Sequence, residues 1–72
     1  MTRKEIFATI KEANAIVDKM NRFPVDSTEY EDLSEQLYFT LDPLMYPKYV
    51  NHYSNFSLHT SKNGKYYVKF AD

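Results

Sequence analysis

Few side chains in this 72-residue sequence are of the types that catalyse reactions or hold metal ions. The chain contains two histidines, His52 and His59, and no cysteine. A zinc site would therefore need several carboxylates from elsewhere in the chain as its ligands. A single histidine in such surroundings is more typical of a polar residue on a strand or a turn. We predict that the protein holds no metal ion and no cofactor.

The remaining candidates for catalysis are equally weak. The serines and threonines, Ser54 among them, stand outside any nucleophile motif, and a chain this short has little room for a preorganised pocket around a Ser–His pair. Glu31 and Glu35 lie one helical turn apart, but on an exposed helical face this spacing is typical of solvated surface charge. The sequence predicts a protein that is not an enzyme.

The composition is that of one small globular domain over residues 1–72. Hydrophobic residues make up 43 % of the chain and aromatic residues 17 %, with a single glycine. The absence of cysteine excludes a disulfide-stapled module and a Cys-ligated zinc domain, and the single glycine excludes a glycine-rich phosphate loop. Aromatic side chains suit the core of a short chain, because each can bury about 150–250 Å².

The N-terminal sequence favours a cytoplasmic protein. It leads straight into helical periodicity, without the apolar stretch and small-residue cleavage site of a secretory signal. No stretch approaches the roughly 18 apolar residues that span a bilayer, so we expect no membrane partner. Lys, Asn, Tyr, Phe and Ile are frequent. Their AT-rich codons hint at a low-GC bacterial, plasmid or phage genome.

The first element is an amphipathic helix. Thr2 and Glu5 have the spacing of a capping box, just before an apolar run. Phe23-Pro24 disfavours continuation of the helix, so we predict its range as about 3–22. Apolar residues recur in it at intervals of three and four, as in a helix that faces a core. They are Ile6, Ile10, Ala13, Val17 and Met20.

A second helix is predicted over about 27–41. Asp26 or Ser27 can cap its start, and Asp42-Pro43 is expected to end it. The short Pro-containing link predicts that the two helices fold back as an antiparallel αα-hairpin. The apolar stripe of the second helix is narrow. It consists of Tyr30, Leu33, Leu37 and Leu41.

The C-terminal part is predicted to be a β-hairpin, with strands over 56–61 and 65–70. Both stretches alternate apolar and polar residues, and Asn63-Gly64 between them is a strong turn signal. A three-residue loop with Gly64 in the left-handed conformation pairs Leu58 with Val68 and aligns the apolar side chains on one face. Residues 43–55 fit a short connecting helix, an irregular segment or a first strand.

The predicted fold class is therefore α+β, an αα-hairpin packed on a β-hairpin. One apolar face of each element is expected to contribute to the core. The predicted core residues are Ile6, Phe7, Ile10, Val17, Met20, Leu33, Leu37, Leu41, Leu58, Val68 and Phe70.

The charge pattern points to a binding surface on the second helix. The net charge of −1 hides a net charge of −6 over residues 26–42, between segments of net +2 and +3. Phe39 falls nearly opposite the apolar stripe, so it is either covered by residues 43–55 or offered to a partner. We predict a small accessory regulator or inhibitor, of a phage or mobile-element type, that binds a protein with a basic surface. The predicted contact residues are Glu31, Asp32, Glu35, Tyr38, Phe39 and Asp42.

Two alternatives stay open. Helices followed by a β-hairpin are similar in order to a winged helix, and the hairpin could bind nucleic acid. The net charge of −1 and the lack of a basic recognition helix disfavour this reading. A structural or oligomerisation module is the other alternative, with a homodimer formed through the hairpin edge. The residues that would contact nucleic acid are Lys62, Lys65, Tyr67 and Lys69.

Overall fold

The computed structural model describes residues 2–45 and 56–70. Two helices precede a two-stranded antiparallel sheet, which is the α+β layout predicted from the sequence. Of the predicted connecting segment, residues 46–55 lie outside the described residues. Within the described ranges, no helix is both long and apolar enough to cross a membrane. The elements are α1 (Arg3–Met20), α2 (Thr28–Met45), β1 (Phe56–Thr60) and β2 (Tyr66–Phe70).

Helix α1 begins at the predicted capping box. The Thr2 hydroxyl accepts a hydrogen bond from the Glu5 backbone N–H at 3.2 Å, and the Glu5 carboxylate accepts one from the Thr2 N–H at 3.1 Å. Hydrogen bonding to the Thr2 backbone, and secondarily to its side chain, lowers the pKa of the Glu5 carboxyl. The helix ends at Met20, two residues before the predicted end, where Asn21 donates to the Val17 carbonyl at 3.1 Å.

Ser27 caps the start of α2. Its hydroxyl accepts a hydrogen bond from the Tyr30 N–H at 3.1 Å and donates one to the Pro24 carbonyl at 2.7 Å. One side chain therefore satisfies a free donor of the first helical turn and also holds the connection between the helices. Of the two caps considered from the sequence, the structure selects Ser27.

The predicted end of α2 is wrong, because the helix runs through Pro43 to Met45. Proline deep inside a helix costs about 3 kcal/mol, since it removes a backbone hydrogen bond and its ring crowds the preceding turn. Here the carbonyl that loses this bond belongs to Phe39, a residue that is 65 % exposed. Leu44 lies one residue beyond the proline and is buried, which contributes about 1.5–3 kcal/mol in return.

The hairpin has the predicted register. Phe56 pairs with Phe70, Leu58 with Val68 and Thr60 with Tyr66. Strand β1 ends at Thr60, one residue before its predicted end, and β2 begins at Tyr66, one residue after its predicted start. Gly64 has a φ of 79°, which is the left-handed conformation expected at the end of the three-residue loop. The apolar alternation was sufficient to predict this element.

The core is formed by one face of α1, the end of α2 and the inner face of the sheet. The inner sheet residues are partly buried and pack against the helical cluster. Most of the predicted core is therefore confirmed, and Ala13, Ile16 and Leu44 are added to it. The buried residues are Ile6, Ile10, Ala13, Ile16, Val17, Met20, Leu41 and Leu44.

The prediction of Phe7 as a core residue is wrong, because its side chain is 54 % exposed. It lies about 100° around α1 from the fully buried Ile6, on the flank of the core stripe. Its ring lies edge-on to that of Phe70, with 5.6 Å between centroids. Leu33 is also less buried than predicted and lies at the rim of an open groove.

The turn end of the hairpin is held against α1 by a side-chain amide. Asn14 Nδ2 donates to the Tyr66 carbonyl at 3.0 Å, and the Tyr66 N–H donates to Asn14 Oδ1 at 2.7 Å. The amide thus occupies the place of a neighbouring strand. An ion pair between Lys65 and Asp18 lies beside it. The loop does not project from the protein as a free wing would.

We expect Asn14→Ala to lower the free energy of unfolding by about 2–3 kcal/mol, because it leaves the Tyr66 N–H and carbonyl without partners. Asn14→Asp keeps an acceptor for the N–H but loses the donor, so its effect should be intermediate. Urea denaturation followed by circular dichroism measures both. Equal stability of wild type and Asn14→Ala would show that the two hydrogen bonds between Asn14 and Tyr66, the Asn14 clamp, do not hold the hairpin against α1.

Candidate protein-binding face

The six predicted contact residues lie together on α2. At about 100° per residue they fall within a sector of about 120°, on the side of the helix opposite Leu37, Leu41 and Leu44. Asp42 is half-buried, and the other five residues are exposed. We call these six residues the outer face of α2. They are Glu31, Asp32, Glu35, Tyr38, Phe39 and Asp42.

The C-terminal half of the outer face is aromatic. Tyr38 is 54 % exposed and Phe39 65 %, and their rings meet edge-on at 6.2 Å between centroids. Met45 lies beside Tyr38 around the helix axis and is 49 % exposed. The sequence interpretation missed Met45, because it ended the helix before Pro43. An exposed apolar patch of this kind marks an interaction site more often than an isolated exposed side chain does.

The N-terminal half of the outer face is acidic. Glu31 lies in the first turn, where the positive end of the helix dipole stabilises a carboxylate. Asp42 lies near the opposite end, where the dipole disfavours an acid and the last turn holds no basic residue. The helix dipole therefore explains the presence of an acidic residue at Glu31 but not at Asp42.

A groove that the sequence interpretation did not predict flanks the outer face. It is open to solvent, has a volume of about 420 Å³ and lies where the helices meet their connection. Asp32 is shared between the groove and the outer face. Lys19 of α1 and Arg22 just after it share this lining with Glu29 and Asp32 of α2, so side chains of both charges lie together here. The groove is lined by Lys19, Arg22, Phe23, Glu29, Asp32 and Leu33.

The alternative nucleic-acid residues share the hairpin but are not equally available. Lys62 and Lys69 are exposed. Lys65 forms the ion pair with Asp18, which offsets its charge. The Tyr67 ring is stacked on His59, with 5.3 Å between centroids and 19° between planes. One face of this tyrosine is therefore occupied, and the contiguous basic surface that duplex binding favours is reduced.

One pair on the sheet has the chemical types of a nucleophile and a base. Ser57 Oγ lies 2.8 Å from His59 Nε2 on the outward face of β1. Both residues belong to hydrogen-bonded pairs of the hairpin, so their N–H groups are used in the sheet and cannot stabilise an oxyanion. Ser57 is exposed on a flat strand. The pair lacks the enclosure and preorganised donors that acyl transfer needs.

Comparisons with known proteins add no constraint. No family model, no curated protein and no solved structure matches the chain. In the ranges that the structure describes, no group of three or more metal-ligating side chains could hold an ion. The function must therefore be argued from the surface of α2 itself.

Two substitutions in α2 distinguish an exposed position from a buried one by their effect on the free energy of unfolding. Phe39→Ala should change the free energy of unfolding by about 0.5 kcal/mol or less, because the ring contributes little burial. Leu41→Ala, two residues along and 2 % exposed, should cost about 2–5 kcal/mol. Chemical denaturation of both variants tests this difference. A loss of about 2 kcal/mol or more for Phe39→Ala would mean that the ring is covered within the folded chain.

Proposed function

We propose that this protein acts without catalysis, by binding another protein through the outer face of α2. The observation that carries the proposal is the exposed pair of rings, Tyr38 and Phe39, on the same helical sector as Glu31, Glu35 and Asp42. Aromatic anchors beside a charged rim are the usual composition of an energetically important contact.

The geometry suits recognition of a helix in a groove. Tyr38, Phe39 and Met45 form an apolar area about two turns long, and an amphipathic helix typically presents its anchors over such a length. The complementary partner surface is an apolar groove with lysine and arginine at the rim that faces Glu31 and Glu35. Electrostatic complementarity of this kind raises the association rate and makes it sensitive to salt.

The wider role that we propose is that of a small accessory regulator or inhibitor in the cytoplasm, of a phage or mobile-element type. Its support is the lack of a recognisable catalytic motif in the sequence and the frequent residues with AT-rich codons. A basic surface that otherwise binds nucleic acid would be a suitable target for an acidic helix.

The proposal is tested with two matched double variants. Glu35→Lys/Phe39→Ala changes the outer face, and Glu12→Lys/Phe7→Ala makes the same chemical changes at exposed positions of α1. The immobilised protein captures partners from a low-GC bacterial lysate, and affinity is then measured with the purified partner. We expect the α2 variant to lose about 30-fold or more in affinity, as for a hot-spot residue, while the α1 control stays close to wild type.

Equal recovery of the same partners by wild type and the α2 variant would contradict the proposal. Binding of DNA gives a different pattern. A mobility shift at micromolar protein that weakens with salt, and that is lost in Lys62→Ala/Lys69→Ala but retained in the α2 variant, would establish the alternative function.

A further inference from the structure

The two edges of the hairpin can be assigned from the hydrogen bond that closes its loop. The Ser61 N–H donates to the Lys65 carbonyl at 2.8 Å. Hydrogen-bonded and non-hydrogen-bonded pairs alternate along an antiparallel ladder. Thr60 with Tyr66 is therefore a non-hydrogen-bonded pair, and so is every second pair beyond it. The backbone groups of these residues point away from the partner strand, toward the sheet edges.

The edge of β2 is protected. This strand lies against α1, and the outward N–H and carbonyl of Tyr66 are both bonded to Asn14. Lys69 adds an exposed charge to the same strand. Charges and covering elements are the means by which proteins prevent a sheet edge from pairing with another chain.

Among the described residues, none of these protections covers the edge of β1. The outward N–H and carbonyl groups belong to Phe56, Leu58 and Thr60, and within residues 2–45 and 56–70 they have no hydrogen-bond partner. The strand reads Phe-Ser-Leu-His-Thr, without a formal charge or a proline. An uncharged and unpaired edge of this kind is a template for pairing with a further strand.

We propose that a second copy of this chain pairs with β1 in antiparallel orientation, about a two-fold axis at Leu58. In this register Leu58 faces its own copy and Phe56 faces Thr60 of the second copy. All three outward-pointing residues then exchange backbone hydrogen bonds in both directions. Because β1 is uncharged, its antiparallel pairing with itself places no like charges opposite each other, and the closed two-fold contact leaves no free edge of β1.

The burial of the sheet supports a second copy as the occupant. Phe56 and Leu58 are only half-buried by the chain's own helices. Pairing keeps both side chains on the helix-facing side and brings each beside its counterpart across the axis. The result is a four-stranded sheet with helices on one face, whereas an isolated two-stranded sheet is marginally stable. This inference does not rest on the proposed function, since it uses no residue of α2.

Two variants at one position test the proposal. Thr60→Pro removes an N–H that the hairpin does not use, so the monomer fold should tolerate it, as edge strands tolerate proline. Thr60→Val keeps the N–H and serves as the control. Sedimentation equilibrium over a range of concentrations should show a dimer for wild type and Thr60→Val. For Thr60→Pro the dimer dissociation constant should rise by at least about tenfold, because bonds related by the two-fold axis are lost together.

Hydrogen exchange of the backbone amides gives an independent measurement on the unmodified chain. The Leu58 amide should be protected, and its protection should increase with protein concentration. A monomer at all concentrations would overturn the proposal, whether the Leu58 amide is exposed or protected by the chain itself. A dimer that Thr60→Pro and Thr60→Val form equally well would also overturn it, because the contact would then use another surface.

Discussion

The fold depends on the single apolar stripe of α1. Both α2 and the β-hairpin pack on this helix, and in the described part of the chain the buried side chains come from α1 and the end of α2. A chain of 72 residues can bury only about 60 % of the surface that it exposes when unfolded. Each further element therefore offers one face to α1 and leaves another face to solvent. Asn14 fixes the position of the sheet on α1, because its side-chain amide is hydrogen-bonded to the backbone of β2.

This constraint explains why α2 has two distinct faces. Leu41 and Leu44 are buried in the core. The burial of Leu44 offsets the cost of continuing the helix through Pro43. The same extension brings Met45 beside Tyr38, so the exposed apolar area is longer than a helix ending at Leu41 would allow. Two surfaces in the described part of the chain differ in chemistry. The outer face of α2 combines carboxylates with exposed aromatic rings, and the edge of β1 carries no formal charge.

Local patterns were sufficient to predict most of the architecture. The capping box at Thr2 and Glu5, the hairpin register and the left-handed Gly64 each follow from neighbouring residues. Three features depend on contacts between distant residues and could not be read in this way. The helix continues through Pro43 because Leu44 finds a place in the core, Phe7 is exposed because the core ends beside it, and the Asn14 clamp joins positions 52 residues apart. The clustering of the six outer-face residues was predictable from helical geometry alone, but their role stays a prediction.

The proposed function requires that the aromatic half of the outer face be open to a partner in the folded protein. The chain contains seven tyrosines but no tryptophan, so Phe39→Trp introduces a single tryptophan on this face, whose emission can be excited selectively. We expect a red-shifted emission close to that of tryptophan in water and efficient quenching by acrylamide, while circular dichroism shows an unchanged fold. A blue-shifted emission that acrylamide does not quench in the isolated protein would show that the chain covers this position itself. That result would contradict binding through the aromatic half of the outer face.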